Sequence, residues 1–275
     1  DVCPSDLIDQ PTSLSGFTAS RALNWSAKFW VIVACIGFVM FIYHILFFYG
    51  GTTLSGEMAK WNDRLYNGLV SGDQLGNAAL IAHVFLAALI TFGAPLQLIP
   101  ATQTRFRTFH RWNGRIYMVI ALVMSVSGLI MIFSSHRTVL GGWSMATGNV
   151  INAVSIIMTA LAAWYLAMKG RIAVHREWAL RLFVVSNGVW FIRVMFGFWI
   201  LINGDAPGHT SLFEGPFDRF LAFSHTLLPL MFMELYLRAY RSRNDRFKWI
   251  MTGVISTIAI AMGMGIFMAT MIFWI

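Results

Sequence analysis

The sequence predicts an all-α integral membrane bundle of about seven transmembrane helices, and three observations carry that expectation. Of its 275 residues 57% are hydrophobic and only 12% are charged, a balance foreign to water-soluble domains. The apolar residues gather into seven runs, each near the roughly 20 residues that a bilayer core requires. Lys and Arg crowd alternate connections between those runs, as they do in cytoplasmic loops. The net charge of +8 therefore sets topology rather than forming a soluble basic face. That excludes nucleic acid as a partner and leaves membrane lipids.

Taken in order, residues 1–26 are polar, rich in Asp, Ser and Thr, and carry Pro4 and Pro11. Such a stretch buries little and predicts a loose segment without a function of its own. It lacks the short apolar core and small-residue cleavage site of a signal peptide, so the first apolar run is expected to stay in the membrane. That run, 27–49, holds Cys35 and, near its far end, His44. Cys3 and Cys35 lie in different environments and give neither a disulfide framework nor a Cys-based metal spacing. In the polar stretch 50–77, Met58, Trp61, Leu65 and Leu69 recur at helical spacing between charges. This predicts an amphipathic helix lying in the outer interface.

The second span, 78–100, carries His83 near its start and ends at Pro100. A basic string, 105–115, leads into the third span, 112–133. The fourth span, 149–168, is followed by a second basic string, 171–181. The fifth, 178–202, carries Arg193, and a Gly- and Pro-containing turn at 203–208 ends it. The sixth, 220–237, holds His225 and Glu234, the stretch 238–248 is again basic, and the seventh span is 249–275. The whole of 27–275 reads as one transmembrane domain.

Orientation follows from counting. Arg21 and Lys28, four Arg at 105–115, Lys169 with Arg171, Arg176 and Arg181, and five cations at 238–248 all fall on alternate connections. The opposite connections hold Lys60, Arg64, Arg137 and Arg219. The positive-inside rule then places the N-terminus in the cytoplasm and the C-terminus outside.

In that topology His44, His83 and His225 all lie five or six residues from the outer ends of their spans, or ~8 Å deep at the helical rise. A neutral imidazole is a strong ligand for haem iron, and facing membrane helices can supply two. His83 with His225 or His44 is thus a candidate axial pair for a haem b. The alternative is that each imidazole simply hydrogen-bonds a neighbouring carbonyl or hydroxyl, such as Ser224. Arg193, near the centre of its span, costs roughly 2.5–3.5 kcal/mol on insertion scales unless it faces an interior partner. Candidates are Glu234 and an anionic ligand such as a haem propionate. The cytoplasmic strings place His110 and His175 at one interfacial depth, each followed by Arg and then Trp. With Arg111, Arg115, Arg176 and Glu234 they suit an anionic, quinone or lipid head group, or else only orient and anchor the chain.

At these residues the chain resembles the bacterial multi-pass proteins grouped as domain of unknown function twenty-three-oh-six. The likeness rests on His83 with Gly93, Pro95 and Gln97, on the run from His110 and Arg111 through Gly114 and Arg115 to Tyr117, on His175, Arg176 and Arg181, and on Arg193 and Glu234. It covers about residues 78–240. It implies a helical protein of the bacterial inner membrane and brings no activity with it.

Two functions remain open from the residues. One is a haem-binding or quinone-reactive electron carrier. The other is a non-catalytic component, either an accessory subunit of a larger membrane complex or a module binding a lipid or small ligand. An alternating-access transporter lacks support, since no inverted repeat with broken helices is visible. The 16 Met residues are scattered as packing material. Ala259, Ala261, Gly263 and Gly265 suit close helix packing, and no phosphate-binding loop, nucleophile elbow or zinc-protease motif occurs.

Overall fold

The computed structural model describes residues 18–275 except Asn67, Ser135 and Arg137; residues 1–17 with Cys3, Pro4 and Pro11, and the loop cation Arg137, lie outside it. Every regular element among the described residues is helical. The helices are α1 (Ala19–His44), α2 (Gly51–Leu54), α3 (Gln74–Leu98), α4 (Pro100–Thr104), α5 (Arg107–Phe133), α6 (Gly142–Met168), α7 (Ile172–Val185), α8 (Gly188–Asn203), α9 (Pro216–Arg241) and α10 (Asp245–Ala269). Six stretches are long and apolar enough to cross a membrane, and α7 with α8 makes a seventh when that bent pair is taken as one span. The protein is a helical membrane bundle.

Local chemistry places the helix ends. Thr18 opens α1 by accepting a hydrogen bond from the Arg21 N–H, Asp73 caps α3 at Gly76 and Asn244 caps α10 at Phe247, each satisfying an orphan donor. The α1 helix starts eight residues before the apolar run. Its polar first turns are held because Leu23 packs with Ala239, Met251 and Ile255 of α9 and α10. At its other end α1 passes through a π-helical turn, Ile45–Gly50, into α2.

The amphipathic interfacial helix expected in 50–77 is corrected. Here α2 is followed by a 3₁₀ turn, Met58–Asp63, and Trp61 is fully buried rather than lying on a bilayer surface. The ring packs 4.9 Å from Tyr49 and 6.0 Å from Phe85, and its Nε1–H donates to Thr52 Oγ1 at 3.0 Å. An indole that can bury its area and still pair its N–H gains more in the core than at an interface. Lys60 stays at the surface, where it hydrogen-bonds Glu57 and holds that carboxyl below its usual range.

The fifth span is also corrected, from one continuous helix to two. Between α7 and α8 the chain bends by 54° at Ser186 and Asn187. The freed carbonyls at the end of α7 are taken up nearby. Ser186 Oγ–H donates to the Leu182 carbonyl at 2.7 Å, Asn187 Nδ2 to Phe183 at 2.6 Å, the Asn187 N–H to Val184 at 3.2 Å, and Asn152 Nδ2 of α6 to Val185 at 2.8 Å. A break inside a bundle is tolerated only with such partners.

Small residues let the helices close on one another. A Cβ on Gly148 of α6 would fall 1.7 Å from the Ala222 carbonyl oxygen of α9. One on Gly265 of α10 would fall 2.3 Å from the Val194 oxygen of α8, so that glycine of the small-residue series serves close packing.

Candidate functional site

A cavity of about 360 Å³ lies within the bundle among α1, α3, α5, α6 and the α7–α8 break. Its walls are mostly apolar, with Phe41, Leu80, Ile90, Met124, Ile156 and Trp190 among them. Leu65, Tyr66 and residues 138–140 of two connections border it at the end of the bundle that the positive-inside count calls outer. The ionisable side chains on its walls include Arg193, His44 and His83, and among the described residues no Asp or Glu lines it.

These groups, with His225, lie at similar residue counts from one end of their helices. His44 lies ten residues before Leu54, His83 nine after Gln74, Arg193 ten before Asn203, and His225 nine after Pro216. At the helical rise that is about 14–15 Å from the same end of the bundle. Each lies farther from its helix end than the apolar runs suggested, because the helices begin or end outside those runs.

His83 of α3 places Nδ1 3.0 Å from Ser127 Oγ of α5. That hydroxyl already donates to the Met124 carbonyl at 2.9 Å, so the imidazole is the donor and its proton sits on Nδ1. Nε2 is then a bare lone pair with no protein partner, on a ring that lines the cavity. His44, on the last turn before the π-helical segment, lies face to face with Phe48 at 5.8 Å and edge-on to Tyr49 at 5.5 Å. π-turns cluster at functional sites, and this one supplies two cavity residues, Ile45 and Tyr49, directly after His44.

Arg193 is deep in the bundle, with part of its surface open into the cavity. Its Nη1 donates to the Val189 carbonyl at 3.2 Å and the guanidinium stands 5.6 Å from the Phe41 ring. Among the described residues no carboxylate pairs with it. Glu234, one of its candidate partners from the sequence, instead takes a two-pronged bond from Arg181 of α7, at 2.5 and 2.9 Å. The reason is axial position, since Glu234 and Arg181 sit beyond the α7–α8 bend, toward the other end of the bundle from Arg193. Glu177 extends that pair to Arg241.

His225 does not line the cavity. It is wholly buried, its Nδ1 donates to the Leu221 carbonyl at 3.0 Å, and its Nε2 has no partner. Its neighbours are Gly188 at the helix break and, through that glycine, Asn152. The void that borders His83 also borders His44, and not His225. No group of three or more His, Cys, Asp or Glu suited to a metal ion occurs among the described residues.

The basic strings separate into two kinds of residue. Arg111, Arg115 and Arg176 are exposed, with Arg115 over the Trp112 ring and Arg176 over Tyr240. His110 and His175 are half-buried. His175 donates from Nδ1 to the Ala163 carbonyl at 2.8 Å, and the His110 carbonyl accepts from Gln97 at 3.3 Å. Asn113 reaches from α5 to the Gly93 carbonyl of α3 at 3.0 Å, and Tyr117 meets Ser186 at 2.5 Å. These residues join helices to one another and to the break.

Sequence reasoning passed over Asn152, Ser186, Asn187 and Gly188. The signal was present, because a Ser-Asn-Gly triplet inside an apolar run is a turn composition. Residues 80–213 match the family described as "Predicted membrane protein (DUF2306)", the family the motif residues resemble; Glu234 lies beyond the matched stretch. No curated protein and no solved structure matches the chain.

Proposed function

We propose, for a chain whose residues 80–213 are those of a family of predicted membrane proteins, that it binds an amphipathic small ligand inside its bundle, as a multi-pass protein of a bacterial inner membrane. The observation that carries this reading is the cavity itself. A volume of about 360 Å³ falls within the range of small-molecule sites, and such sites are apolar with a few converging polar groups. Here those groups are a cation, an imidazole lone pair and the polar residues of a helix break. The connections between the described helices are short, which favours the bundle interior as the binding site.

The experiment is extraction of the protein purified in a mild detergent, followed by mass spectrometry of the released small molecules. One amphiphile enriched over the bulk lipid of the same membrane, and reduced when Ala87→Trp fills the cavity, is the expected result. A Soret band with a sharp reduced α-band, abolished in His83→Ala, would replace this reading with a haem-binding one. Extracts identical in the wild type and in the filled variant would remove it.

A further inference from the structure

We infer that the cavity ligand carries a single carboxylate, seated between Arg193 and the first turn of α8; this rests on the ligand-binding reading above and names its head-group chemistry.

A guanidinium held near mid-membrane is stable only against an interior partner, and Arg193 finds one carbonyl and one aromatic face, neither of which neutralises it. With no acidic side chain among the described residues of the cavity wall, a neutral ligand would leave the cation unpaired. An anion would pair it in a low-dielectric site, where a charge-assisted bond is strong.

The break adds to the same field. At its α7 side the carbonyls of Leu182, Phe183, Val184 and Val185 all have donors. At its α8 side no side chain caps the helix, and the N–H groups of Gly188, Val189 and Trp190 are the orphan donors of a first turn. The break therefore presents donors and hides acceptors, with the positive end of a 16-residue helix behind them. Arg193 reaches back along α8 to Val189, which brings its charge to that turn. Val189, Trp190 and Arg193 all line the cavity. Broken membrane helices present their N-termini to anionic groups in this way.

Charge and size select the anion. A phosphate monoester brings about −1.5 to −2 charges against one guanidinium, whereas a carboxylate brings one. The cavity is near the small end of ligand sites, which favours a single apolar chain.

The test uses the purified protein in a neutral maltoside micelle, with radiolabelled dodecanoate as the probe and unlabelled dodecanoate, dodecanol, dodecyl phosphate and decylbenzoquinone as competitors. The expected result is saturable binding that dodecanoate displaces at least tenfold better than any of the others. Arg193→Met should weaken dodecanoate binding at least tenfold and Arg193→Lys by less, while Arg219→Met, in the first turns of α9, behaves as wild type. Equal displacement by dodecanol or the quinone would overturn the carboxylate and leave the ligand site standing. Better displacement by dodecyl phosphate would overturn it in favour of phosphate. No saturable binding of the probe and no binding of labelled dodecanol would overturn the site itself. Should Arg193→Met fail to fold, the competition series on the wild type decides alone.

Discussion

Replacing Asn152 with Ala should destabilise the protein by way of the helix break. Asn152 Nδ2 donates to the Val185 carbonyl at 2.8 Å and to Thr226 Oγ1 at 2.9 Å, so one amide ties α6 to the end of α7 and to α9. The Val185 carbonyl has no other donor among the described contacts, because the chain turns at Ser186 before a helical N–H can reach it. Interhelical hydrogen bonds in membranes contribute about 0.6 kcal/mol on average and about 1.7 at most. Two such bonds, one leaving a buried carbonyl bare, give about 1–3 kcal/mol. Thr226→Val removes only the second and should cost about 0.5–1 kcal/mol. In the Asn152→Ala background the same change should cost almost nothing, since the partner is already gone. Thermal unfolding in detergent micelles, followed by loss of the monodisperse elution peak, measures all four proteins. Equal cost of Thr226→Val in both backgrounds, or an Asn152→Ala variant as stable as wild type, would refute the reasoning.

Three further outcomes follow from the structure. Gly148→Ala should cost about 1–3 kcal/mol by forcing α6 off the α9 backbone, whereas Gly253→Ala, with nothing within 4 Å of the new methyl, should be neutral or gain up to about 1 kcal/mol; the same thermal assay compares them. A double-mutant cycle on Arg181→Met and Glu234→Gln should give a coupling of about 1 kcal/mol, the upper end for a half-exposed pair, shrinking as salt is raised. Cysteine-accessibility labelling of Arg176→Cys and Lys60→Cys, in a background with Cys3 and Cys35 replaced by Ser, should find them on opposite faces of the membrane; labelling from the same face would undo the topology.

The bundle was legible in the sequence because bilayer burial demands long apolar runs and leaves a strong compositional trace. The helix ends were less so. Polar turns such as Ala19–Ser26 or Gln74–Asn77 extend a helix beyond the apolar core at no cost in hydropathy contrast, and the caps at Thr18 and Asp73 were the better markers. Trp61 and Glu234 show a different limit. Trp61 reads as interfacial and Glu234 as a candidate partner of Arg193, but the contacts each makes depend on where a neighbouring segment bends or tucks in, and that is a tertiary fact. Arg193 was the clearest signal, since its cost in a membrane is nearly independent of context. The cavity around it was not legible, because its lining includes the π-turn after His44 and the break at Ser186, two small departures from helical geometry within apolar runs.

The central claim is that the cavity at Arg193 is a ligand site, and the most direct measurement is a cryo-electron microscopy structure of the protein extracted with its own lipids into nanodiscs. Non-protein density is expected in the cavity, ending about 2.7–3.2 Å from the Arg193 guanidinium. A cavity closed by side chains, with Arg193 paired to a carboxylate of the protein, would contradict it.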